Sequence, residues 1–130
     1  MKKLFQTFDG VLFETQKDAL NYELAHSQKT VVIVDDDSEI LEILSNRLQS
    51  GKIKHITFLD PFEAMNFISK NEIEHVFTDY HMKGYGISGK WIKEICIQYG
   101  IACSIVSGDE SIADINKIDF LNDCVSFIQK

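Results

Sequence analysis

The stretch "TVVIVDDDSE", residues 30–39, joins four consecutive β-branched residues to three adjacent carboxylates. Val31, Val32, Ile33 and Val34 have the unbroken apolar character of a strand buried on both faces, as in a parallel sheet. Asp35, Asp36 and Asp37 then fall where that strand leaves the sheet. Two carboxylates ~5 Å apart repel by roughly 3 kcal/mol at an effective dielectric of 20. Water, a helix start or a cation must therefore answer the crowding. Asp37 suits the helix start, where a carboxylate caps free N–H groups and meets the positive end of the dipole.

Outward from this stretch the chain alternates. A helix is expected over Ser38–Gln49, with Ile40, Leu41, Ile43, Leu44 and Leu48 on one side and Gly51 as its stop. A strand at Ile53–Leu59 follows, then Asp60-Pro61 opens a helix, with proline at its first position. Next come a strand over His75–Thr78 ending at Asp79, a loop holding Gly84, Gly86 and Gly89, and a helix from Lys90 to Tyr99. A strand at Ile101–Val106 ends at Ser107, a weak helical stretch lies between Ser111 and Leu121, and a last strand is expected over Cys124–Ile128. Five strands with intervening helices predict an α/β fold with a doubly wound parallel sheet.

Residues 1–29 read differently. Leu4–Phe8 and Val11–Phe13 flank Asp9-Gly10, a hairpin signal. Thr15 reads as the cap of a helix over residues 16–26, with Ala19, Leu20 and Leu24 as a narrow apolar stripe. The expected organisation is an N-terminal extension, 1–29, before a single domain, 30–130.

Bulk properties narrow the function classes. The chain has 130 residues, is 45% hydrophobic and carries a net charge of −7, which leaves no basic stripe for direct contact with nucleic acid. Cys96, Cys103 and Cys124 form an odd set without close pairs, as expected of thiols in a reducing compartment. No apolar run reaches the ~18 residues of a membrane span, and a signal-peptide core is lacking. A cytoplasmic protein is the expectation.

Ligand sites in such sheets lie beyond the carboxyl ends of the strands. There the expected strands deliver Asp35 and Asp36, Asp79, Ser107 and Lys130. Acids alone make a hard oxygen site suited to Mg²⁺. A hydroxyl and an ammonium beside them suit the spare oxygens of a phosphoryl group. This constellation resembles the receiver domain of two-component response regulators. The likeness rests on "VVIVDDD", "VFTDYHM", "SIVSGD" and "VSFIQK", and spans Thr30 to Lys130. The intervals of 43, 28 and 23 residues separating Asp36, Asp79, Ser107 and Lys130 are close to the family's.

The resemblance implies a flavodoxin-like sheet of order 2-1-3-4-5. It also implies that Asp79 accepts a phosphoryl group from a histidine kinase or histidine phosphotransfer protein. Asp36, Asp79 and the backbone carbonyl of His81 would hold Mg²⁺, with Asp35 acting through water. Ser107 would bond a phosphoryl oxygen, Lys130 would pair with Asp79, and Ser107 with Phe127 would form the conformational switch. Any catalysis would be limited to self-catalysed phosphotransfer and autodephosphorylation. The output partner is left open, and a homodimer is compatible with the family.

Departures from the family pattern are also legible. His81 stands two residues past the acceptor, where it could gate water attack. Lys83 replaces a common proline, and the three glycines suggest a mobile loop. The chain ends at Lys130, so the family's fifth helix is expected to be missing, with the helix at 16–26 covering that sheet face. These departures keep open a second reading, a non-phosphorylated pseudo-receiver acting as a binding or dimerisation module. Two local likenesses are set aside. "FDGVLFET" resembles the first motif of haloacid-dehalogenase-type phosphatases but has Thr7 where that family needs its nucleophile. "GYGISG" fits a dinucleotide fingerprint by letter, but Tyr80 to Lys83 separate it from the strand.

Overall fold

The structure, a computed structural model, describes residues 5–6, 12–15, 17–18 and 29–128; the side chains of 5, 6, 13 and 123–128 are outside that description. Near the start, β1 (Phe5–Gln6) pairs antiparallel with β2 (Leu12–Phe13), Phe5 opposite Phe13. An antiparallel pair was expected, but a two-residue turn at Asp9-Gly10 would have set Phe5 opposite Glu14. Thr15 Oγ1 accepts from the Asp18 N–H at 3.1 Å, the capping bond expected there. The rest of the anticipated helix at 16–26 lies outside the described residues.

Five strands build the main sheet: β3 (Thr30–Val34), β4 (His55–Phe58), β5 (Ile73–Asp79), β8 (Cys103–Ser107) and β9 (Ile115–Asn116). All neighbours are parallel, in the order β4-β3-β5-β8-β9, which is the expected 2-1-3-4-5. Every residue of β3 is buried, as its unbroken β-branched run requires.

Helices α1 (Ser38–Ser50) and α4 (Lys117–Ile128) cover one face. There Leu41, Leu44 and Leu48 of α1 and Phe120 of α4 pack on Val31, Ile33, Phe77 and Val106. Helices α2 (Pro61–Ile68) and α3 (Gly89–Gln98) cover the other. Ala64, Ile68, Ile92 and Cys96 pack there on Val32, Val34 and Val76. Ile43 and Phe62, at apolar positions of α1 and α2, are instead exposed. Asp37 caps α1, accepting from the Glu39 and Ile40 N–H groups, and Asp60 caps α2 in the same manner.

Two expectations need correction at the C-terminal end. Residues 124–128 form the last turns of α4, not a strand. The short apolar run there has no decisive period by itself, and the helix that starts at Lys117 continues through it. Phe120 anchors that helix, its ring 4.7 Å from that of Phe77. The edge strand is therefore β9, only two residues long. The helix total is one short of the family's five among the described residues, as expected, but the gap lies between β8 and β9. The sheet face that residues 16–26 were expected to cover is occupied by α4 itself.

The glycine-rich stretch is also more ordered than anticipated. β6 (His81–Met82) and β7 (Ile87–Ser88) form a small antiparallel hairpin around a 3-10 turn at Lys83–Tyr85. Gly86 closes the turn with φ of 70°, a left-handed conformation that favours glycine.

Candidate acidic phosphoacceptor site

Register brings the site together. Val34 pairs with Thr78, so the next residues, Asp35 and Asp79, emerge side by side. Asp79 pairs with Val106, which puts Ser107 one step beyond. Ser107 pairs with Asn116, and Lys117 follows directly. The alternation of side chains along a strand points Asp35 and Asp79 to the face of Ile33 and Phe77, under the start of α4.

The carboxylates of Asp35, Asp36 and Asp79 lie within 4.8 Å of one another. Asp35 and Asp79 are buried, while Asp36 faces solvent. Lys117 enters between them, with Nζ 3.1 Å from Asp35 Oδ2 and 3.4 Å from Asp79 Oδ1. Asp35 Oδ1 also accepts the Asp37 N–H at 3.0 Å, which joins the site to the capped start of α1. Below lies a small cavity floored by Phe77, Val106 and Phe120, so the charges meet above an apolar base.

Electrostatics follow from this placement. Burial pushes the Asp35 carboxyl up to about 6; the neighbouring charge of Asp79 adds to the rise, and the Asp37 N–H and Lys117 oppose it. Asp79 is likewise raised by burial, against the pull of Lys117. Burial works against the Lys117 ammonium, but its two carboxylate partners outweigh it and hold the group above the usual lysine range. A carboxylate trio relieved by a single cation retains an excess of negative charge. All three supply hard oxygen donors, a set that suits Mg²⁺.

Backbone contacts fix the end of β5. Thr78 Oγ1 donates to the Asp79 carbonyl at 2.9 Å. Gly89 packs so closely behind it that an added Cβ would stand 2.2 Å from that same carbonyl oxygen. The Gly89 N–H donates to the Tyr80 carbonyl at 2.9 Å. Ser107 is buried, and its Oγ accepts the Asp109 N–H at 3.1 Å. A hydroxyl that accepts one bond keeps its own proton for donation.

Of the residues expected at the site, Asp35, Asp36 and Asp79 converge, and register sets Ser107 beside them. His81 lies on the exposed side of the β6–β7 hairpin, its ring edge-on to Tyr80 at 4.9 Å. Lys130 lies outside the described residues, as does the side chain of Phe127. Lys117 was not anticipated. Its signal was present in "INK": Asn116 Oδ1 accepts from the Ile118 N–H at 2.9 Å, the bond of a residue that ends a strand and caps a helix.

No protein-family profile matches the chain. One stretch is 37% identical over 73 residues to the Arabidopsis thaliana protein described as "Putative two-component response regulator ARR21", covering 54% of this chain and 12% of that protein. The chain thus spans about an eighth of the length of this relative. The receiver domain of the Francisella response regulator 1452 superposes with a TM-score of 0.61 at 18% identity, over 78% of this chain and 96% of that one. A CheY-like receiver domain from Methanospirillum hungatei gives 0.61 at 18%, over 79% and 95%. A de novo designed Rossmann 2x3 protein gives 0.64 at 20%, over 78% and 90%. A designed protein matching this well shows that the superpositions speak for fold alone; the functional argument rests on the acids and the lysine. The described residues from Thr30 onward thus share the fold of response-regulator receiver domains, and part of the chain is similar in sequence to a two-component response regulator.

Proposed function

We propose that the domain accepts a phosphoryl group on Asp79 and changes conformation in response. The observation that carries this reading is the meeting of Asp35, Asp36 and Asp79 within 4.8 Å, with Lys117 bound to two of them. The donor is a phosphohistidine of a histidine kinase or histidine phosphotransfer protein. A carboxylate oxygen of Asp79 forms the new bond to phosphorus as the bond to the histidine nitrogen breaks. Asp36, Asp79 and the His81 carbonyl would hold Mg²⁺, with Asp35 acting through water. When bound, the metal offsets the negative charge gathered during transfer.

Lys117 takes the role first assigned to Lys130. Its ammonium turns from the free carboxylates to a phosphoryl oxygen, and the Ser107 hydroxyl donates to another. Movement of Ser107 is the switch a downstream protein reads; its pairing with Phe127 supposed a strand ending at Lys130, and residue 127 belongs to α4 instead. This signalling role implies a cytoplasmic location. Among the described residues no helix is long and apolar enough to cross a membrane. Residues 1–29 precede this domain, which begins at Thr30.

The test is exposure to beryllofluoride or a small phosphodonor with Mg²⁺, comparing wild type with Asp79→Asn. We expect a Mg²⁺-dependent change in mass or spectrum that Asp79→Asn abolishes. A response that survives this substitution would remove Asp79 from the role. A second reading, a pseudo-receiver used for binding or dimerisation, is favoured by the missing helix between β8 and β9. Complete indifference of the wild-type protein to both reagents would select it.

A further inference from the structure

Adjacent parallel strands are ordinarily joined by a crossover of a dozen or more residues, usually helical. β8 ends at Ser107 and β9 begins at Ile115, so only residues 108–114 make this one. They form turns, with Asp109 Oδ1 accepting from the Ser111 N–H and hydroxyl. A crossover this short lacks a helix to bury against the sheet. Yet it must set the start of β9, and with it the position of Lys117.

Asp114 meets that requirement. Its N–H donates to the Ile105 carbonyl at 2.9 Å, and its Oδ2 accepts the Ile105 N–H, also at 2.9 Å. Both backbone groups of Ile105 are thereby taken by one residue. The same Oδ2 pairs with Lys93 Nζ of α3. Ile115 and Asn116 then pair with Val106 and Ser107, and Lys117 follows. We propose that Asp114 is a positioning residue, clamping the shortened crossover to β8 and α3 and so fixing the register that holds Lys117 against Asp35 and Asp79. The functional arm of its test rests on the phosphoacceptor reading; the structural arm does not.

The structural arm is amine-specific acetylation of the full chain, read by mass spectrometry, with exposed Lys70 as internal reference. In Asp114→Ala, Lys117 should label about fivefold faster than in wild type, the effect of losing roughly one net hydrogen bond. Lys93→Met, which cuts only the tie to α3, should give about a twofold increase. Unchanged Lys117 labelling in folded Asp114→Ala overturns the clamp. If Asp114→Ala does not fold, Lys93→Met decides, and wild-type labelling there overturns it.

The functional arm compares two affinities in each variant. Mg²⁺ binding by Asp36 and Asp79 should be kept or tightened, because Lys117 competes for the Asp79 carboxylate. Beryllofluoride binding, which needs Ser107 and Lys117, should weaken about fivefold. Equal weakening of both would mark general loosening and would also overturn the clamp. If wild type itself takes no beryllofluoride, the phosphoacceptor reading fails, and labelling alone judges Asp114.

Discussion

Asp35 illustrates how much one buried carboxylate can control. Its pKa in the fold, about 6, lies above the ordinary 3.8, so the folded protein binds more protons than the unfolded chain between these values. Stability is therefore greatest below about pH 4 as far as this group is concerned, and falls as pH rises through 6. After discounting for its solvent side, the change is about 2 kcal/mol. The upward shift of Asp79 acts in the same direction. Thermal unfolding followed by circular dichroism should show a higher midpoint at pH 5.5 than at pH 7.5. Millimolar Mg²⁺ should raise the midpoint more at pH 7.5, because metal and proton compete for the same oxygens. Equal Mg²⁺ effects at both pH values would argue against these acids as its ligands. Asp37, next in the chain, serves a different end. Asp37→Ala should cost about 1 kcal/mol through the lost cap, with Mg²⁺ affinity unchanged; urea unfolding and a Mg²⁺ titration of Trp91 fluorescence check the two halves.

At the scale of elements, the contact of α3 with the end of β5 is the most demanding. Gly89 opens α3 directly behind Asp79, and a methyl group there would meet the Asp79 carbonyl carbon at 3.0 Å and Tyr80 Cα at 3.1 Å. These are backbone atoms that cannot rotate aside. Gly89→Ala should destabilise the domain by about 2 kcal/mol, as overpacking does, and should weaken Mg²⁺ binding because Asp79 itself is displaced. Denaturant unfolding and the Trp91 titration report these separately. Full retention of both would mean that α3 can slide without moving Asp79. Glycine here serves close approach, whereas at Gly86 it serves a left-handed turn.

For the whole molecule, α4 decides whether site and core are one unit. It begins with Lys117 in the acidic site and, one turn later, buries Phe120 against Phe77. Phe77 in turn stacks on His75, 4.2 Å between centroids, and His75 Nε2 lies 2.9 Å from Ser104 Oγ. Phe120→Ala should cost about 3 kcal/mol through lost burial and the cavity left behind. It should also loosen the lysine above it, so that beryllofluoride binding falls along with the unfolding midpoint. A variant that loses stability but binds beryllofluoride normally would show that Lys117 is held by its carboxylates alone.

Four strands of the sheet, and the acids at their ends, were legible in the chain itself. Val31 to Val34 cannot be exposed without heavy cost, and a strand buried on both faces must deliver Asp35 and Asp36 to its end. The same reasoning, applied to the run before Asp79 and to "SIVS", placed Asp79 and Ser107 at strand ends, because strand and polar residue are neighbours in the chain. The cation and the final helix depend on contacts between residues far apart in the chain. "CVSFI" suits a strand or a helix about equally until Phe120 finds Phe77, a partner 43 residues away. β9 has two residues and no period to read; it exists because Asp114 and Asn116 are held against β8. Its register against β8 brings Lys117 to a carboxylate 38 residues away in the chain, and no local pattern encodes that meeting.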